Sequence, residues 1–203
     1  MRPRSDMRKW KDTDKSEIQK FLAVLFIMGI NHLPNTHMYQ NERICKTTTR
    51  ARFEILLKCF HLNENNGAEK NDRLSKLRPL LELICNKFKT TLVPGESIVV
   101  DETLVPWRGR LMFRQYIPGK SHKYGVKLYK LCTPEGYTYG LKVYTGKEPA
   151  SHKSGFGHGH DIVMELVDGL LDEERTVYMD NYFMSVPLCE KLLCRKTCLW
   201  NTA

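Results

Sequence analysis

The apolar residues of this chain change their spacing once, near Pro94-Gly95, and that change excludes an all-helical and an all-β fold alike. Before it, Phe53, Leu56, Leu57 and Phe60 recur at i, i+3, i+4 and i+7, which places them on one face of a helix. Leu77, Leu80, Leu81, Ile84 and Phe88 mark another helix. Ser16-Glu17-Ile18-Gln19 reads as a capping box for an earlier one, running to about Gly29 with Pro34 beyond it. Thr49 is placed to cap the second. After Pro94-Gly95 the residues become β-branched and aromatic. Ser97 to Asp101, Tyr124 to Thr133, Tyr137 to Thr145 and Arg175 to Asp180 read as strands. Residues 146–160, rich in Gly, His, Ser and Lys, read as a loop. Asp161 caps a helix with Val163, Leu166, Val167 and Leu170 on its apolar face, and Ser185 caps a last one with Pro187 in its first turn. The expected order is three helices, then β-β-β-α-β-α, an α/β (α+β) chain. Residues 1–15 read as a mobile basic arm, 16–94 as a helical N-terminal domain and 95–203 as a mixed domain.

The formal net charge of +9 favours an anionic partner, nucleic acid above all. The longest apolar run, Phe21 to Ile30, is shorter than the roughly 20 residues a bilayer-spanning helix needs, so it is expected as a buried helix and no membrane partner is expected. The 7 cysteines include no C-x-x-C pair and read as reduced thiols of an intracellular protein. Cys189, Cys194 and Cys198 do not repeat at zinc-finger spacing. His158-Gly159-His160, with His152 in the same Gly-rich stretch, lacks the spacing of a zinc site. No zinc site is expected.

Asp101 follows three apolar residues in a strand, and Asp180 ends the strand Val177-Tyr178-Met179. A carboxylate on an apolar strand is costly unless it is solvated, paired or metal-bound. Taken singly, each has a plainer role, capping the turn after its strand. Taken together they say more. A β-β-β-α-β order allows the first and fourth strands to lie parallel and adjacent, so that both carboxylates converge. Their repulsion is relieved by a divalent cation, and hard oxygen donors suit Mg²⁺ or Mn²⁺. Two such ions assist phosphoryl transfer, and they generally need a third carboxylate.

No acidic residue lies between Thr103 and Pro134, while Arg108, Arg110, Arg114, Lys120, Lys123, Lys127 and Lys130 all do. Trp107, Phe113, Tyr116, Tyr124 and Tyr129 are interleaved with them. Cations hold phosphates and aromatic rings stack on bases. A solvated charged face over core aromatics is the alternative. The position directly after Asp101 favours nucleic acid.

Asp101-Glu102-Thr103-Leu104-Val105-Pro106-Trp107-Arg108-Gly109-Arg110 resembles the D-E-x-[ML]-x-x-[FW]-x-G-R signature of piggyBac-type DNA transposases and their domesticated relatives. Phe113-Arg114-Gln115-Tyr116, Lys120, Lys123-Tyr124-Gly125 and Lys127 continue it. Val143-Tyr144-Thr145-Gly146-Lys147 is a further landmark. Asp180-Asn181-Tyr182-Phe183 with Ser185 resembles D-N-[FWY]-[FY]-x-S, and Asp72-Arg73-Leu74, Lys76 and Arg78-Pro79 resemble the segment ahead of the catalytic domain. The resemblance implies an RNase H-like core, incomplete in this chain, and a DDD triad with two divalent metals. Asp101 and Asp180 match the first two triad members. The third, on a downstream helix, and the family's cysteine-rich zinc module lie beyond Ala203. It further implies hydroxyl attack on DNA phosphates at TTAA targets, with hairpin ends formed during excision. Met38-Tyr39-Gln40 has Gln where relatives often have Trp, and Cys198 to Ala203 departs from the family's usual strand, so a last parallel strand is expected to be missing. The expected partners are double-stranded DNA and a second copy of the chain, with no small-molecule substrate, in the nucleus. Three functions fit: a catalytically incomplete DNA-binding derivative, part of an active transposase, or a chromatin or protein-interaction module without DNA chemistry.

Overall fold

The computed structural model describes residues 10–31, 41–63, 72–146 and 154–201. Arg2, Arg4, Arg8, Lys9, Pro34, Met38-Tyr39-Gln40, Lys147 and His152 lie outside them. The chain divides into two compact units between His61 and Leu62, ahead of the change in apolar spacing near residue 94.

The first unit holds α1 (Lys15–Ile30), α2 (Glu42–Thr47) and α3 (Arg50–Cys59). The cap of α1 is Asp14 instead of Ser16, its Oδ1 accepting from the Glu17 N–H at 2.7 Å. A carboxylate there accepts that bond and also places negative charge at the positive helix end. Helix α2 was not legible as a helix. It is short and polar, capped by Asn41 and supported by the Glu42–Lys46 pair. Thr49 caps α3 as expected. Phe21, Val24, Ile44, Phe53 and Leu56 form the core, with the Phe21 ring 5.3 Å from Phe53 and 5.2 Å from Phe60. The end of the basic arm is anchored, contrary to expectation. Trp10 packs against this core under the Arg52 guanidinium, 5.1 Å away, and Arg52 grips Glu17 through two hydrogen bonds.

The second unit runs α4 (Arg78–Thr91), β1 (Ser97–Pro106), β2 (Gln115–Tyr116), β3 (Tyr124–Cys132), β4 (Thr138–Val143), α5 (His158–Val167), β5 (Thr176–Met179), α6 (Val186–Cys194) and β6 (Cys198–Asn201). The sheet order is β2-β3-β1-β5-β6, with β4 also on β3. Strands β1 and β3 pair antiparallel from Val99↔Cys132 to Pro106↔Gly125. Strands β1 and β5 pair parallel from Ser97↔Thr176 to Val100↔Met179, and β6 adds parallel to β5. This is an RNase H-like mixed sheet. Its last parallel strand is present after all: Cys198–Asn201 supplies it, too short to show alternation in the sequence. The two-residue β2 is a second strand beyond those expected.

The core lies where one face of the sheet meets α5 and α6. Ile98, Val100, Val177 and Met179 alternate inward along β1 and β5, against Val163, Val167, Leu188 and Leu192. Helix α5 begins at His158, a turn earlier than Asp161 would set it, because Gly157 at φ 105° turns the chain into the helix. His158 and His160 are therefore helical, not loop residues. Ser185 caps α6, its Oγ accepting from Leu188 N–H at 3.4 Å. Among the described residues no helix is long and apolar enough to cross a membrane.

Candidate functional site: an acidic sheet edge and a cationic strip

The in-phase burial of β1 and β5 fixes where the two carboxylates lie. Val100 and Met179 are the last paired residues, and both point into the core. Asp101 and Asp180 each come one position later, at the same sheet edge, and both are exposed. Neighbouring strands lie about 4.8 Å apart, so the sheet brings the two acids side by side. Asp101 accepts from the Glu102 N–H at 2.6 Å, and Asp180 from the Tyr182 N–H at 2.8 Å. Neither has a cationic partner among the described ion pairs. Asp180 carries the turn-capping bond of the plainer reading; Asp101 does not, because β1 runs on to Pro106 instead of ending at Asp101 and its bond comes from the next residue of the strand. Both keep acceptor capacity free.

Lys130 stands directly opposite Asp101 in the β1–β3 register, half-buried. Arg108, Arg110, Arg114, Lys120 and Lys123 are exposed. Arg114 donates to the carbonyls of Arg108 and Gly109 at 3.1 and 3.3 Å and lies 5.0 Å over the Tyr124 ring. A groove of about 790 Å³ opens there, lined among others by Trp107, Arg108, Arg114, His122, Lys123 and Tyr124.

Lys127 departs from the rest of the strip. Its ammonium pairs with Glu102 and sits 4.8 Å from the Tyr129 ring and 4.7 Å from that of Tyr182. The side chain is only 13% exposed, so its charge is spent inside the protein and it is not an open phosphate contact. Seven cations in sequence do not reveal which one meets an acid; the antiparallel pairing does, setting Lys127 diagonal to Glu102, which stands opposite Tyr129.

The family model described as Transposase IS4 matches residues 2–202. Human PiggyBac transposable element-derived protein 3 is 30% identical over 191 residues, which cover 87% of this chain and 32% of that protein. The chain belongs to the piggyBac family. Human PiggyBac transposable element-derived protein 2 is 25% identical over 185 residues, covering 85% of this chain and 31% of that one. The chain thus spans about a third of the length of these curated relatives. A piggyBac transposase solved in a synaptic complex with hairpin DNA superposes with a TM-score of 0.87 at 26% identity, over 98% of this chain and 44% of that one.

Within this piggyBac fold, the residues after Asp180 lock the site from behind. Phe183 is buried in the core, 5.9 Å from the Tyr129 ring, and Tyr182 closes over Lys127. The Tyr129 hydroxyl lies 3.1 Å from His158 Nε2. Burial, then its contact with Tyr182, pushes the Tyr129 phenol far above its ordinary range, so it stays protonated and neutral. Nothing in the spacing of Glu102, Tyr182 and His158 points to a shared cluster. Only the spatial neighbourhood reveals it.

The edge fits a hard divalent cation in donor type: two solvated carboxylates, side by side, with lone pairs uncommitted. Among the described residues no group of three or more His, Cys, Asp or Glu gathers as a metal cage. Asp101 and Asp180 thus stand as a pair of carboxylates without a third such group beside them among the described residues.

Proposed function

We propose that the chain is a piggyBac transposase-derived DNA-binding protein that retains part of a metal-dependent phosphoryl-transfer site. The carrying observation is the adjacency of Asp101 and Asp180 on neighbouring parallel strands, unpaired and solvated, beside an exposed cationic strip. Arg108, Arg110, Arg114, Lys120 and Lys123 hold the phosphates of double-stranded DNA, with Lys130 nearest the acidic edge. Asp101 and Asp180 would hold Mg²⁺ or Mn²⁺. Such an ion, when bound, supplies neutralisation of the charge that develops on phosphate oxygens. The protein residues hold the acids in place and orient the strand. The solved relative's hairpin-DNA complex supports DNA as partner, and the family's action on DNA supports a nuclear location. We propose the domain assignment with it: residues 95–203 as the partial catalytic core and 16–94 as its helical companion.

These 203 residues alone do not carry strand transfer in this proposal, since two carboxylates leave a two-ion site short of ligands. Duplex affinity that falls steeply with salt, together with no strand transfer in Mg²⁺ or Mn²⁺, is the expected result. Salt-independent, negligible binding would support the interaction-module role instead. Robust strand transfer by the chain itself would overturn the proposed incompleteness. A second reading, part of an active transposase, is favoured by the roughly threefold greater length of the relatives. Chains extended beyond residue 203 that gain strand transfer would establish it.

A further inference from the structure

The groove at the far end of β1 differs in chemistry from the acidic edge. Trp107, Tyr116 and Tyr124 are 48%, 55% and 47% exposed, although aromatic rings usually contribute their large apolar area to a core. Their positions are fixed. The Trp107 main-chain N–H donates to the Tyr124 carbonyl at 3.1 Å, and the indole lies so close over Gly109 that a Cβ there would come 2.8 Å from its nitrogen. The rings of Tyr116 and Tyr124 stand 4.9 Å apart. Arg114 is flattened on Tyr124 by its bonds to two main-chain carbonyls.

A shelf of rings with cations around it has one fitting class of ligand. A duplex turns its base faces inward and gains nothing from exposed rings, whereas an unstacked base offers a π-face to them. Cations beside the rings complement a backbone phosphate. We propose that this groove is a subsite for an unpaired nucleotide of a DNA strand, its base lying on Trp107 and Tyr124 and its phosphate held by Arg108 and Lys123. The inference rests on the DNA-binding reading above and adds a substrate class to it: DNA carrying a single-stranded segment next to duplex. From Asp101 to Trp107 along β1 the chain rises about 20 Å, the span of about six nucleotides of one strand. The subsite thus lies along a strand leading away from the acidic edge.

The test uses the full chain with Trp10→Phe and Trp200→Phe, which leaves Trp107 as the sole indole without altering it. A twelve-nucleotide oligothymidylate and a blunt duplex of equal length are titrated at one salt concentration. Quenching of Trp107 by the single strand but not by the duplex is expected. In the otherwise native chain, Trp107→Leu should weaken single-strand binding at least about fivefold while duplex affinity changes less than twofold, with an unchanged circular dichroism spectrum. Duplex binding without quenching by the single strand would overturn the subsite and leave the DNA-binding reading standing. Equal losses for both probes in Trp107→Leu would also overturn it. Failure of both probes to bind would remove the DNA-binding reading and the subsite with it.

Discussion

Glu17→Gln isolates the ion pair that ties the start of the first unit to its third helix. Arg52 Nε donates to Glu17 Oε1 at 2.7 Å and Nη2 to Oε2 at 2.5 Å. The hydrogen bond from Arg52 is the first cause that holds the Glu17 carboxyl down from 4.5 to about 2. At about 1.4 kcal/mol per pH unit, that drop sets a ceiling of about 3.4 kcal/mol. Water reaches both groups, the side chains being 17% and 29% exposed, and screening reduces the contribution to about 1–2 kcal/mol. The sign follows from the depressed value. The stabilisation is complete above the ordinary carboxyl range and is lost as pH falls toward 2. Glu17→Gln should therefore cost about 1–2 kcal/mol at pH 7, and the gap to the parent should shrink by about half at pH 3. Urea unfolding read through Trp10, which sits on the Arg52 guanidinium, in a Trp107→Phe/Trp200→Phe background measures this. A gap below about 0.3 kcal/mol at pH 7, or one that does not change down to pH 3, would refute the reasoning.

Asp101→Asn and Asp180→Asn should each weaken Mn²⁺ binding at least about tenfold by calorimetry, since even indirect supporters of a metal site cost that much, while thermal stability stays within about 0.5 kcal/mol. Lys127→Met should lower stability by about 1–3 kcal/mol, because it strands Glu102 partly buried, and should leave the salt dependence of DNA binding unchanged. Lys123→Met should do the reverse, lowering the slope of log K against log salt by about 1 with no loss of stability. Gly125→Ala would put a methyl 2.3 Å from the Val105 carbonyl oxygen across the β1–β3 ladder. A loss above about 2 kcal/mol is expected by denaturant titration.

The acidic edge was legible because its signal is local on each strand. An apolar run ending in Asp, twice, with a helix between, is enough to bring the two ends together once the parallel pairing is assumed. The cap of α1 was misplaced because Asp14 and Ser16 are both good caps and only geometry chooses. Strand β6 escaped notice because four residues with exposed Cys198 and Trp200 carry no hydrophobic pattern; it exists through pairing with β5. The inward turn of Lys127 was invisible for a different reason. A salt bridge across two antiparallel strands depends on register, and nothing in the one-dimensional spacing of Glu102 and Lys127 encodes it.

The parallel pairing of β1 with β5 has a kinetic consequence. Parallel neighbours cannot be joined by a tight turn, so the two acids meet only after β3, β4 and α5 have been made and folded back. Closing so long a loop is an entropic toll that local hairpins escape. During synthesis the β1–β3 ladder can zip while Asp180 is still inside the ribosome, and the pair of acids comes together only when the late segment docks. A nascent chain is therefore born with its cationic strip exposed and its acidic counterpart unfinished.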